Sequence, residues 1–344
     1  MKDLSIDAPG LDGHSLPDLE WVGGYVHIND TVDLTDLTIL PSLRSVGKEL
    51  EIRNNEALAA LDGLQSLEHV GGTLEIEDNA ALVEIDALSN LTQVGGIEIV
   101  LNPVLESVEG LSGLSGQITG DASIGGHPAL AGLHGLEGVT SVDGMLRFAN
   151  NESLVDLTGL DSLESVTGDL WINMGWEDGY PWKTPSDALT SFEGLESLEE
   201  VGGRLGMSIG DYMTDLTPLS GLSSVGGLQI YDGGGVSSLA PFAGLSGDVS
   251  SLSLYQMPNV ETLVGLEGIS GVGYLTLFQM AGISGFDGLD GVTSVDEIFF
   301  NEVTNLMGCD ICDFMDGLSA SPSDIFVQSC GDDECLDWST LTCP

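Results

Sequence analysis

The chain has 344 residues, of which 55 are Asp or Glu and 7 are Lys or Arg, a formal charge of −48. A surface this acidic repels nucleic-acid phosphates and anionic membranes. No apolar run reaches the roughly 18 residues that a membrane span needs, so membrane insertion is excluded as well. The charge reads in two ways: a solvated acidic coat suited to salty surroundings, or a surface that collects Ca²⁺ or a basic partner.

The opening Met1-Lys2-Asp3-Leu4-Ser5 carries no apolar h-region, so no signal peptide is visible. Both a trimmed extracellular chain and a cytosolic one would begin this way. From Val22 the sequence repeats itself, mostly with a 24-residue period. About twelve turns open at Val22, Val46, Val70, Val94, near Gly116, and at Val142, Val166, Val201, Val225, near Gly247, Val272 and Val295. A period of this size is the mark of a solenoid, whose units bury their apolar faces against their neighbours. In the unit Val46–His69, Leu50 and Ile52 are two apart and point inward from a short strand, and Leu58, Leu61, Leu64 and Leu67 follow in short apolar pieces separated by glycine or polar corners. Coiling such units stacks parallel strands about 4.8 Å apart.

A corner asparagine recurs at Asn55, Asn79, Asn102 and Asn151. Its amide can satisfy backbone groups that a tight corner leaves unpaired, so these residues should form a structural ladder. The column fades beyond Asn151, where Gly175, Gly210, Gly233, Met257 and Met280 take its place. The turn from Val166 to Val201 is too long, and its excess, about 174–185, carries Trp176, Tyr180 and Trp182. Solenoids place such insertions as loops on one face.

The outward strand positions change character along the chain. Early turns hold Glu51, Arg53, Glu75 and Glu77, whereas later ones hold Trp171, Tyr231, Tyr255, Phe278 and Phe299. Tyr231, Tyr255 and Phe278 occupy equivalent places in three consecutive turns and should stack as an exposed strip. Such a strip suits a glycan or a protein partner, although stacked aromatics also stabilise parallel strands without any ligand. An ice-binding face would need a regular threonine column, and Thr276 has Ser253 and Gln229 as its counterparts.

All five cysteines, Cys309, Cys312, Cys330, Cys335 and Cys343, follow the repeats. Their clustering suggests a disulfide-stapled cap over 309–344, with Asp324–Val327 as a last covering strand. The odd count leaves at least one unpaired, joined to another molecule, or outside any disulfide. A zinc site at Cys309-x-x-Cys312 is the competing reading, and free thiols a third.

The repeat V-G-G-x-L-x-I-x-x-N-x-x-L, seen in Gly72-Thr73-Leu74-Glu75-Ile76 through Asn79 and Leu82, and in Ile97-Glu98-Ile99 with Asn102-Pro103 and Leu105, resembles the receptor L-domain family. The resemblance spans about 20–305. It implies a right-handed parallel β-helix of leucine-rich-repeat character, often extracellular or at the cell surface. Receptor L domains are shorter and carry cysteines within their repeats, so hormone recognition does not transfer, and the unbroken array is closer in style to bacterial surface members. The expected organisation is an all-β solenoid over 1–308 and the cap over 309–344.

No constellation for catalysis stands out. Gly13-His14-Ser15-Leu16-Pro17 ends in Pro where a nucleophile elbow needs Gly, and the five histidines are scattered. Asp232, beside Tyr231, is a weak candidate for a polysaccharide-cleaving carboxylate. The expected function is therefore a non-catalytic binding or adhesion module, with an acidic, calcium-associated coat or spacer as the alternative. No cofactor is expected, though calcium is possible.

Overall fold

The computed structural model describes residues 2–6, 15–174 and 188–331. Trp176, Tyr180 and Trp182 of the insertion, and Cys335 and Cys343, lie outside the described residues. The chain forms two compact units: residues 1–168 with 193–197, and 169–192 with 198–344. Each is a stack of parallel strands.

In the first unit, Leu50 of strand Leu50–Arg53 pairs with Leu74 of His69–Glu77, then Ile97 of Gln93–Val100, Ala122 of Ala122–Gly125 and Leu146 of Leu146–Ala149. Two residues on, Ile52, Ile76, Ile99, Ile124 and Phe148 form a second inward column, at most 2% exposed. The period-2 pleat sends the intervening residues outward. The stack begins one strand earlier than the repeat suggests: Leu4–Ile6 pairs with Val26–Ile28, outside the V-G-G pattern that marks the other turns. The paired glycines of that pattern have a steric cause, since a Cβ on Gly71 would lie 2.5 Å from the Gly47 carbonyl oxygen of the preceding coil.

The asparagines form the expected ladder at fully buried corners. Asn55 donates from both its backbone N–H and its amide to Asn79 Oδ1 (3.1 and 3.0 Å), and Asn79 does the same to Asn102 Oδ1 (3.0 and 3.2 Å). Their amides also donate to Ile28 O, Ile52 O and Ile76 O across the coil. Thr31 starts the column, its hydroxyl donating to Asn55 Oδ1. His127 occupies the rung between Asn102 and Asn151. Its Nδ1 accepts from the Asn102 N–H (3.2 Å), its Nε2 faces Ile99 O (2.9 Å), and its own N–H donates to Asn151 Oδ1. Burial holds this imidazole's pKa below its usual value, which keeps Nδ1 available as an acceptor.

In the second unit the columns are Leu170, Leu205, Leu228, Leu252, Leu275, Ile298 and Ile325, and Ile172, Met207, Ile230, Leu254, Leu277, Phe300 and Val327. Met257 and Met280 fill the corner with apolar bulk, both fully buried. Strand Asp324–Cys330 pairs in parallel with Ser294–Val303 as the last coil among the described residues. The helix Gly308–Asp316 precedes it and lays Phe314 on Phe286, with ring centroids 4.3 Å apart. Cys312 and Cys330 each take part in a disulfide, whereas Cys309, also a disulfide candidate, is an exposed free thiol.

Part of the acidic composition is structural. At several corners the residue two after a left-handed glycine accepts that glycine's N–H: Glu137 from Gly135 (2.8 Å), Asp161 from Gly159 (2.9 Å), Glu196 from Gly194 (2.8 Å) and Glu267 from Gly265 (2.9 Å). These carboxylates cap the corner, as side-chain oxygens cap turns elsewhere.

Candidate functional site

The aromatic residues come together in the second unit, where the strand register sets them side by side. Tyr231 and Tyr255 stack with centroids 4.4 Å apart and planes 10° apart, and Phe278 follows at 6.0 Å, tilted by 47°. The rings are half-buried, because each covers its neighbour's face. Burial raises the Tyr231 phenol's pKa above its usual value, and the adjoining Tyr255 adds to the effect. Phe299 does not continue this row. It lies in the register of Thr276 and stacks on Phe326 at 4.8 Å, with planes 8° apart. Phe299 and Phe326 are 37% and 36% exposed. Trp171 shares this second register through Gly206, and the Arg204 guanidinium sits 5.6 Å from its ring. The outward aromatics thus fall in two parallel rows, Tyr231, Tyr255 and Phe278 in one and Trp171, Phe299 and Phe326 in the other. Phe326 was not singled out because its strand lies beyond the repeat, although the Asp324–Val327 pattern was a usable signal.

One residue past the aromatic row, Asp232, Gln256 and Gln279 take left-handed backbone conformations with φ of 55–57°. Gln256 Nε2 donates to Gln279 Oε1 (2.8 Å), and Gln279 Nε2 donates to Glu302 Oε2 (2.9 Å). Asp232 Oδ2 accepts from the Ser208 hydroxyl at 2.9 Å. Asp232, Gln256 and Gln279, with Asp211, Gly210, Gly234 and Pro258, line an open groove of about 500 Å³. Of these, the sequence marks Asp232 as a candidate carboxylate and Gly210 as a corner residue.

In the first unit the outward positions between the two inward columns, which match the register of Trp171 and Phe299, hold charge instead. Glu51, Glu75 and Glu98 stand in register on three consecutive coils. Oxygens of Glu49, Glu51 and Glu75 lie within 4.8 Å of one another and could hold a cation. Arg53 lies 2.7 Å from Glu75 and 4.0 Å from Glu51, and also pairs with Glu77. His27 Nδ1 is 2.7 Å from Glu51. Burial pushes the Glu75 carboxyl up to about 7, Arg53 offsets part of that, and Glu51, Glu98 and Glu49 raise it further. Burial likewise raises Glu98.

A carboxyl whose pKa is higher when folded than when unfolded binds more protons in the folded state. Its favourable contribution is complete below the unfolded value and fades as pH climbs through about 7. Glu75→Gln should therefore be more stable than the parent at pH 8, by about 1–2 kcal/mol after allowance for solvent screening and the lost Arg53 pair. The two should converge near pH 4. Urea melts at both pH values test this; an equal difference at each would show that Glu75 is not the responsible group.

The strand registers, apolar columns and hydrogen-bonded corners define a leucine-rich-repeat-type solenoid protein. No family model matches the sequence, and no curated protein matches it. Among solved structures, an internalin from Listeria monocytogenes is similar at 18% identity over 98% of this chain and 84% of that one, with a TM-score of 0.42. TLR13, in a complex with ssRNA13, is similar at 13% identity with a TM-score of 0.28. That match covers 89% of this chain, which spans 57% of TLR13's length. No helix among the described residues is long and apolar enough to cross a membrane.

Proposed function

We propose that the protein is a non-catalytic binding module, extracellular or at a cell surface, that holds a glycan or a protein against the strand face of its second unit. The observation that carries this reading is the in-register row Tyr231, Tyr255 and Phe278, whose equivalents in the first unit are Arg53, Glu77 and Val100. Rigid, partly exposed rings beside polar side chains give contact area at little entropic cost. Trp171, Phe299 and Phe326 widen that surface, and Trp176, Tyr180 and Trp182 of the insertion are proposed to adjoin it. The segment 309–344 is proposed to serve as the cap.

Tyr255→Ala should weaken binding of a ligand identified on a glycan array about tenfold, or about 1.4 kcal/mol. The variant should keep the parent's circular dichroism spectrum. Unchanged affinity would remove the row from the site.

A second reading has its own support in the Glu49, Glu51 and Glu75 cluster: an acidic coat or spacer that gathers calcium. A strong calcium-dependent rise in melting temperature, with no ligand found for the aromatic face, would favour it.

A further inference from the structure

The groove beside the aromatic row is chemically lopsided. Among the described residues its lining has two carboxylates, Asp211 and Asp232, and two amides, Gln256 and Gln279, but no Lys, Arg or His. Each amide already spends a donor along the ladder that ends at Glu302, which leaves the Gln256 carbonyl oxygen outside that ladder. Asp232 keeps Oδ1 beyond the oxygen that accepts from Ser208, and Asp211 is exposed. A surface rich in acceptors and carrying net negative charge is complementary to a ligand that brings donors and positive charge.

We propose that this groove receives an arginine- or lysine-bearing segment of a partner protein. The proposal rests on the binding-module reading and narrows its ligand class. Charge complementarity favours this occupant: a guanidinium supplies five donors in a planar fork and can pair with a carboxylate in bidentate fashion, whereas a neutral sugar offers hydroxyls and no charge. Steering by the protein's overall field would speed the encounter, and the groove would provide the local fit.

The probe is a fluorescein-labelled octapeptide of alternating Gly and Arg, read by fluorescence anisotropy at low salt, with a Gly–Gln peptide for comparison. The intact protein should bind the Arg peptide and not the Gln peptide. Asp211→Asn/Asp232→Asn should lose at least tenfold in affinity. Glu106→Gln/Glu152→Gln, which removes the same charge from exposed sites in the first unit, should lose less than twofold. The single variant Asp211→Asn should fall between, and it guards against a folding defect in the double variant. Equal losses in the two double variants would mean only diffuse attraction to an acidic protein and would overturn the proposal, as would failure of the intact protein to bind. Tyr255-dependent binding of a glycan, indifferent to Asp211 and Asp232, would also overturn it while leaving the binding-module reading in place.

Discussion

Asn79→Ala is expected to destabilise the first unit by about 3–5 kcal/mol. The fully buried side chain takes part in four hydrogen bonds that alanine cannot make. Oδ1 accepts from the N–H and the amide of Asn55, and Nδ2 donates to Ile52 O and Asn102 Oδ1. Removing the side chain strands polar groups on both neighbouring coils where water has no ready access, and each such group costs about 1–3 kcal/mol. Because solenoid coils contact only their neighbours, the damage should be local. Hydrogen exchange should quicken first in Leu50–Arg53 and Gln93–Val100, the strands on either side. A loss below about 1 kcal/mol, or uniform exchange across the unit, would contradict the ladder's role.

Gly63→Ala should cost at least as much, about 4 kcal/mol or more. Gly63 has φ of +115°, and a Cβ there would lie 1.8 Å from Leu37 O and 2.1 Å from Leu37 C. The neighbour is backbone of the preceding coil, so no rotamer change relieves the clash. The unfavourable backbone conformation adds about 1–3 kcal/mol. Gly285→Ala is the matched control, since its Cβ meets nothing within 4 Å; it should stay within about 0.5 kcal/mol of the parent. Comparable losses in the two variants would show that general glycine entropy, and not coil contact, controls these positions.

Both residues belong to the part of the fold that could be read in advance. The 24-residue spacing and the alternation of Leu50 with Ile52 lead directly to inward columns, because a strand's pleat has period two and each coil needs an apolar face. The asparagine column was equally visible at Asn55, Asn79, Asn102 and Asn151. His127 was not, since it fills the same rung with a different residue type, and only the 25-residue step from Asn102 and the 24-residue step to Asn151 marked it. The acids at Glu137, Asp161, Glu196 and Glu267 looked like surface charge and proved to cap corners.

The candidate site was legible only in outline. The equivalence of Tyr231, Tyr255 and Phe278 follows from counting, but the separation of Phe299 and Phe326 into another row depends on register. So does the groove. Gln256 and Gln279 are 23 residues apart, and they act together because left-handed corners aim both side chains along the stack.

Sequence by itself determined the repeat, the dry interior and the polarity of the outward face, because those depend on residue order within one coil. Tertiary structure decided which side chains touch, which carboxyl among many is driven toward neutrality, and where an acceptor-lined groove opens. These depend on the few ångströms between successive coils, a distance over which Coulomb and hydrogen-bond energies change steeply and which no single coil encodes.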